Sequence, residues 1–523
     1  MRRRSKALLA SAVVLALTGT TVVAVQRRAA QERARDRAEA ASVAAAFLQA
    51  WEERRWSDMT EVTAGRDDPG SAYRRTSERL EVRSVEAVPG PLSADGTTVP
   101  FTVTLGLTGL GDLAYASELA MVEQGDRWRV AFRSATLHPA LANGEQLQRR
   151  SRPAPRQELA DREGRPLREA SQDLAVNVLG VAGETGLERV LDDELQGSGG
   201  GAVVVGRSGS DEELRVLQEY GGRSGEPVRT TLDLDVQRAA ERAAATAPSR
   251  AAVVAVDTRN GQVRAVANAP TDGATTAFTT YAPGSLFKVV TATALLQQGR
   301  TPSSPAPCAD TTSSGGRPFR NSPGTPTGPM TLARATAVSC NTAYLELAEA
   351  LPPGALGRAA ALYGFGDGPL LPIAGPGGQV PEPESPAEAA EDVLGQGRVQ
   401  ASPLLLASMM AAVADGTWRG PSLVPGERTE QRPLPAGVAP ALRAMLRGVV
   451  TDGTGSAAQP TGGSPVSGKT GTAQYGTGDP LPTHAWFAGW QDDLAFCVFV
   501  ESGSSGGAVA APVARRFLAD LRS

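Results

Sequence analysis

The sequence predicts an α/β protein of the α+β kind, built from several domains, and three observations carry that expectation. Its 523 residues exceed what one core organises, and at ~150 residues per domain they imply roughly three domains. Between positions 80 and 132 short apolar runs alternate with polar residues and are divided by Asp95-Gly96 and Gln124-Gly-Asp126, a strand-and-turn pattern that follows a stretch with helical spacing. Further on, the apolar runs 251–257 and 262–267 are joined through Asn260-Gly261, a hairpin signal, and strand-like runs return after position 464.

The chain opens with Arg2-Arg3-Arg4-Ser5-Lys6, then a charge-free run over 7–25, then Gln26-Arg27-Arg28. As a helix that run would span about 28 Å, close to the hydrocarbon thickness of a bilayer. Its length favours an uncleaved signal-anchor, with cleavage after an alanine as the alternative. Four of the first six residues are basic, so positive-inside logic keeps this end in the cytoplasm and the rest outside. Residues 1–28 therefore read as a cytoplasmic stub and transmembrane signal-anchor. The expected location is the cell membrane, single-pass, with an extracytoplasmic body.

Residues 29–146 read as a small α+β domain. The Ala/Glu/Arg-rich stretch 29–45 leads into Phe47-Leu48-Gln49-Ala50-Trp51 with helical spacing, and the alternating runs follow. His138, before Pro139, fits packing or surface better than catalysis. Residues 147–228 form a second unit with Arg149-Arg150-Ser-Arg152 and Asp161-Arg-Glu-Gly-Arg-Pro-Leu167. Its Gln196-Gly-Ser-Gly-Gly-Gly201 is a flexible turn and not a phosphate loop, since no Lys-Ser/Thr pair completes one. Residues 229–523 form the third unit. Net charge is -4 with basic residues interspersed among acidic ones, which excludes a nucleic-acid partner. Three cysteines allow at most one intrachain bridge, and mainly free, buried thiols are expected.

Only three of the 52 basic residues are lysines, and two of them, Lys288 and Lys469, lie in Ser285-Leu-Phe-Lys288 and Lys469-Thr470-Gly471. A desolvated ammonium can lose its proton near neutrality whereas a guanidinium cannot, so an arginine-biased chain keeps lysine where that difference matters. Pro283 and Gly284 break the preceding chain, so Ser285 should open the following helix. Residues three apart then share a face. Burial and the positive end of the helix would depress the amine's pKa and fit Lys288 to accept the serine proton.

Alone, Ser-x-x-Lys is explained as well by a serine helix cap followed by a surface lysine. Ser339-Cys340-Asn341 adds a second hydroxyl and an amide at the start of another helical stretch. Lys469-Thr470-Gly471-Thr472-Ala473 adds a cation, hydroxyls and a glycine that lets a backbone approach. His484-Ala-Trp-Phe-Ala-Gly-Trp490 and Leu494-Ala-Phe-Cys-Val-Phe-Val500 complete a three-stranded meander. His484 has no evident carboxylate orienter, so a Ser-His-Asp scheme is disfavoured. Cys340 reads as a buried, inert thiol and Trp486 and Trp490 as core. The Pro- and Gly-rich segment 351–392 reads as irregular loop.

Ser-x-x-Lys, Ser-x-Asn and Lys-Thr-Gly in this order resemble the active-site triplet of penicillin-binding proteins and serine β-lactamases. Tyr281-Ala-Pro-Gly-Ser-Leu-Phe-Lys288, Leu394-Gly-Gln-Gly397, Ser402-Pro403-Leu404 and His484-Ala-Trp-Phe487 extend the likeness. The resemblance implies a transpeptidase domain at 229–523 whose central antiparallel sheet is flanked by helices. It also implies a pedestal or dimerisation domain at 147–228 and a nuclear-transport-factor-2-like domain at 29–146, as in class B members. Leu286 and Ser402 depart from the usual pattern without removing a catalytic group.

The chemistry the resemblance implies is bacterial cell-wall crosslinking. Ser285 would attack the penultimate D-alanyl carbonyl of a peptidoglycan stem peptide, Lys288 would take its proton, Ser339 would relay protons and Asn341 would hold Lys288 and substrate. Lys469, Thr470 and Thr472 would bind the terminal carboxylate, with Gly471 between them. Backbone N–H groups of Ser285 and Thr472 would form an oxyanion hole, commonly worth about 2.7–4 kcal/mol per donor. Implied partners are stem peptides and lipid-linked precursors, β-lactam antibiotics, the membrane through the N-terminal helix, and a separate glycosyltransferase, since no such domain is present. No cofactor or metal is implied. A D,D-carboxypeptidase or β-lactamase sharing the acylation step, and a non-catalytic wall-complex scaffold, are the alternatives.

Overall fold

The computed structural model describes residues 4–152, 156–196, 199–222 and 227–522. It divides into two compact units, Met1–Pro155 with Gln196–Gly225, and Arg156–Leu195 with Glu226–Ser523. The segment 147–228 is thus shared between units: residues 156–195 belong to the second and 196–225 to the first.

In the first unit the long helix Arg4–Glu52 buries Ala40, Ala44, Phe47, Leu48 and Trp51, whose three- and four-residue spacing puts them on one stripe. The stripe packs on an antiparallel meander of Val82–Pro89, Thr98–Leu107, Gly111–Gln124 and Arg127–Ala131, in that order. Val99, Phe101, Val103 and Leu105 alternate inward, as a sheet with one buried face requires. The helix Pro69–Leu80 starts at Asp68, which accepts the Ser71 N–H at 3.1 Å, and brings Tyr73 to 4.5 Å from Trp51. His138 is buried, its Nδ1 accepts the Ala140 N–H at 3.1 Å, and desolvation pushes its pKa down to about 4. It is a neutral packing residue. A second antiparallel sheet joins Glu145–Arg152, Gly200–Arg207 and Glu213–Tyr220.

The expected anchor run 7–25 falls within the helix Arg4–Glu52, but most of its side chains lie outside the described ones. Among the described residues no helix is long and apolar enough to cross a membrane.

The second unit is built on a five-stranded antiparallel sheet ordered Val263–Ala269, Ala251–Asp257, Leu494–Val500, Thr483–Gln491, Ser467–Gln474. The Asn260-Gly261 hairpin and the late meander are both present. Every residue of Ala251–Asp257 is buried, because helices cover both faces. Ala252, Val254 and Val256 join the core containing the helices Lys288–Gln297 and Pro403–Asp415, while Val253 and Ala255 join the one containing Leu234–Ala244 and Ala511–Asp520. The stretch 161–167 is a structural turn: the buried Asp161 carboxylate accepts the N–H groups of Glu163 and Arg165, each at 2.9 Å, and pairs with the Arg165 guanidinium.

The segment 351–392 is more regular than its proline and glycine content predicts. It holds the helices Ala355–Ala361 and Pro386–Val393, the second capped by Ser385, whose hydroxyl accepts the Glu388 N–H at 3.2 Å. Serine followed by proline at the first helical position is a start signal outweighed in the sequence by the surrounding breakers.

Candidate active site

The strand Ser467–Gln474 is the sheet's last, paired only with Thr483–Gln491, so its outer edge faces the turn bearing Ser285. That turn is pinned from several sides. Tyr281 and Ala401 exchange backbone hydrogen bonds at 3.0 and 2.9 Å, Gly284 N–H donates to Gly395 O at 2.8 Å, and the buried Trp486 Nε1 donates to Ala282 O at 3.1 Å. Gly284 has φ +54°, and a Cβ on it would lie 2.3 Å from Thr472 O; one on Gly471 would lie 2.6 Å from Pro283 O. Glycine at both positions lets turn and strand touch.

Ser285 stands in a 3-10 turn, Gly284–Phe287, and the α-helix begins only at Lys288. The expectation that Ser285 opens the α-helix is corrected accordingly: pinned by Gly284, the first turn tightens. The 3-10 geometry eclipses residues i and i+3, so Ser285 and Lys288 still share a side. Among the described residues the Ser285 hydroxyl makes no hydrogen bond.

Lys288 is fully buried. Its Nζ donates to Ser339 O at 2.8 Å and Asn341 Oδ1 at 2.7 Å and lies 3.4 Å from Ser339 Oγ. Burial, and secondarily the charge of Lys469, hold its pKa well below that of a free lysine. Lys469 is also fully buried and donates to Ser339 Oγ at 2.9 Å and Thr470 O at 3.0 Å. Burial pushes its pKa down to about 7. The structure therefore joins Lys288, Ser339, Asn341 and Lys469 in one hydrogen-bonded cluster. Ser339 has φ +57°, a left-handed conformation that non-glycine residues seldom adopt and that here turns its hydroxyl between two amines.

Thr470 and Thr472 belong to the edge strand, and their hydroxyls are not part of that cluster. Thr470 Oγ1 is 2.6 Å from Thr454 Oγ1, and Thr472 Oγ1 accepts the Gly506 N–H at 3.1 Å. Thr454 lies outside every motif read from the sequence.

Asn321 was also missed. Its Oδ1 accepts the N–H groups of Asn341 at 2.7 Å and Thr342 at 3.2 Å, and its Nδ2 donates to Ala309 O at 2.7 Å. It thereby caps the helix Asn341–Ala348 from outside and fixes the segment that presents Ser339 and Asn341. Asn341 Nδ2 donates to Arg320 O at 3.0 Å, which turns its oxygen toward Lys288.

Cys340 is not a free thiol. It is bonded to Cys308, with Cα atoms 6.1 Å apart, and only Cys497 remains free and buried. Cys308 is hydrogen-bonded to Gly328 in both directions, and the adjacent Ala309 O accepts the Thr342 hydroxyl at 2.8 Å. His484 stacks on Tyr475 at 3.9 Å, its Nδ1 lies 2.7 Å from Glu501 O, and burial lowers its pKa. These contacts fit a structural or substrate-lining residue rather than a catalytic base.

Residues 251–519, just over half the chain, match the penicillin binding protein transpeptidase domain. The chain belongs to that family. Residues 39–145 of this penicillin-binding protein match the NTF2-like N-terminal transpeptidase domain. Over 417 residues it is 31% identical to the peptidoglycan D,D-transpeptidase PbpA of Mycolicibacterium smegmatis, covering 64% of this chain and 79% of the relative. The peptidoglycan D,D-transpeptidase PbpA of Mycobacterium tuberculosis is 29% identical over 400 residues, covering 63% and 78%. Among solved structures, a chain of a peptidoglycan synthase complex superposes with TM-score 0.63 at 26% identity, over 73% of this chain and 92% of that one. The penicillin-binding protein is thus a serine-type D,D-transpeptidase working through an acyl-enzyme.

Proposed function

We propose that this transpeptidase crosslinks peptidoglycan stem peptides with Ser285 as nucleophile, and that β-lactams acylate the same hydroxyl. The observation that carries the residue assignment is the Ser339 hydroxyl lying between two buried amines, 3.4 Å from Lys288 and 2.9 Å from Lys469. Lys288, whose ammonium form burial disfavours, takes the Ser285 proton as Oγ bonds to the penultimate D-alanyl carbonyl carbon. The carbonyl electron pair moves onto oxygen, where the N–H groups of Ser285 and Thr472 stabilise it. As the carbonyl reforms, the bond to the terminal D-Ala nitrogen breaks, and the proton held by Lys288 reaches that nitrogen through Ser339.

Asn341 holds Lys288 in line. Lys469, Thr470 and Thr472 receive the substrate's terminal carboxylate, and Gly471 admits the backbone contact. The amine of a second stem peptide then attacks the ester, losing its proton to the same relay and regenerating Ser285.

The run 7–25 is the single-pass membrane anchor in this reading, with the catalytic unit outside the membrane and 147–228 as the pedestal segment. A separate glycosyltransferase supplies the glycan strands. The test is intact-protein mass after penicillin exposure, with Ser285→Ala as control. One adduct on the native chain and none on the variant is expected; an adduct on the variant rejects the assignment.

A further inference from the structure

A cavity of about 220 Å³ lies between the C-terminal end of the helix Asn341–Ala348 and the helix Pro386–Val393. Its walls are mostly apolar, including Leu351, Leu356, Val380, Pro381 and Val393. Asp392 also lines it, only 2% exposed, and among the described residues its Oδ1 has no hydrogen-bond partner. Nearly all buried carboxyls are hydrogen-bonded, since one left alone costs the full desolvation of the group.

The nearby counter-charge, Arg398, is engaged by other carboxylates. Burial first, then Glu388, and more weakly Glu391 and Glu382, push the carboxyl up to about 7, against an opposing pull from Arg398. That arginine is already paired with Glu384 and Glu388. Among the described residues no group of three His, Cys, Asp or Glu side chains could hold a metal ion. An unpaired acid, a negative local field and apolar walls together select a cation with an apolar body.

We propose that this cavity is a binding site for a small organic ammonium ion, with its charge on Asp392 and its hydrocarbon body against Leu351, Leu356 and Val393. The cavity volume holds a fragment of ring or short-chain size, and a charge-assisted hydrogen bond to the carboxylate orients it. The site is distinct from the Ser285 cluster but adjoins its support. The Asp392 carbonyl accepts the Gly395 N–H at 2.9 Å, and Gly395 O accepts the Gly284 N–H at 2.8 Å.

Calorimetric titration of the full chain with benzylammonium chloride tests this, with benzyl alcohol as the neutral probe of the same shape. Saturable one-site binding of the cation is expected, with benzyl alcohol at least about tenfold weaker. Asp392→Asn should weaken the cation to the level of the alcohol, and Leu356→Trp, which fills the cavity, should abolish both. Cooperative thermal unfolding checks that each variant is folded. No saturable binding, equal affinity of the two probes, or undiminished cation binding in folded Asp392→Asn overturns the proposal. The two-probe comparison on the native chain needs no variant.

Discussion

The Ser339 hydroxyl accepts a hydrogen bond from Lys469 Nζ at 2.9 Å, and this contact ties the side proposed to handle protons to the side proposed to bind carboxylate. Burial pushes Lys469 down to about 7, while burial and the Lys469 charge hold Lys288 well below its ordinary value. In the proposed roles the Lys469 charge disfavours the Lys288 ammonium, which favours a free base, and rising pH neutralises Lys469 near 7.

The second-order rate constant for acylation by a carboxylate-bearing β-lactam should be bell-shaped, with its falling limb near pH 7, since it reports the free enzyme. At saturation the bound carboxylate favours the Lys469 ammonium, so the limiting rate should hold its plateau to higher pH. Stopped-flow acylation across pH 5–10 checks both; a second-order constant that keeps rising through pH 9 contradicts the assignment.

Asn321→Ala should slow acylation by about tenfold or more, because an ångström of misplacement near reacting groups carries costs of that size. Loss of the cap should lower stability by about 1 kcal/mol. A limiting acylation rate that falls while the antibiotic's initial affinity stays near native marks a positioning role; unchanged kinetics in a destabilised protein reduces Asn321 to a cap.

The candidate residues were legible because they fall in local strings: Ser285 with Lys288, Ser339 with Asn341, and Lys469 with Thr470, Gly471 and Thr472 each occupy one turn or strand. The hairpin at Asn260-Gly261 and the buried alternation of the first sheet were legible for the same reason. Asn321 and Thr454 were not, since each acts on a partner more than a dozen residues away and carries no pattern of its own. The 3-10 turn at Ser285 depends on Gly395, over a hundred positions distant. Cysteine count allowed one bridge, but that it joins Cys308 to Cys340 depends on a contact between distant segments, Thr342 to Ala309, that carries no pattern in the sequence.

That disulfide should matter for both stability and rate. It closes a separation of 32 residues, for which the chain-entropy model gives roughly 3–4 kcal/mol. Because Cys340 lies between Ser339 and Asn341, the Cys308→Ser/Cys340→Ser double variant should unfold at lower urea and be acylated more slowly. Urea titrations of the native chain with and without reductant, run beside the double variant, check this. An unfolding midpoint indifferent to both changes would mean that the bond constrains nothing.

Gly284→Ala should be the most damaging small substitution in the site. The position has φ +54°, and the added methyl would meet Thr472 O at 2.3 Å and Thr472 C at 2.7 Å. Backbone atoms cannot swing aside, so the turn must move off the edge strand and the N–H groups of Ser285 and Thr472 must part. Loss of one oxyanion donor commonly costs about 100- to 1,000-fold in rate. Acylation should fall at least about 100-fold, the lower end of that range. Gly368→Ala, where the added methyl meets nothing within 4 Å, is the control and should react at the native rate. A Gly284→Ala protein that is folded and acylated at the native rate would mean that the contact between turn and strand does not set the geometry of the reacting carbonyl.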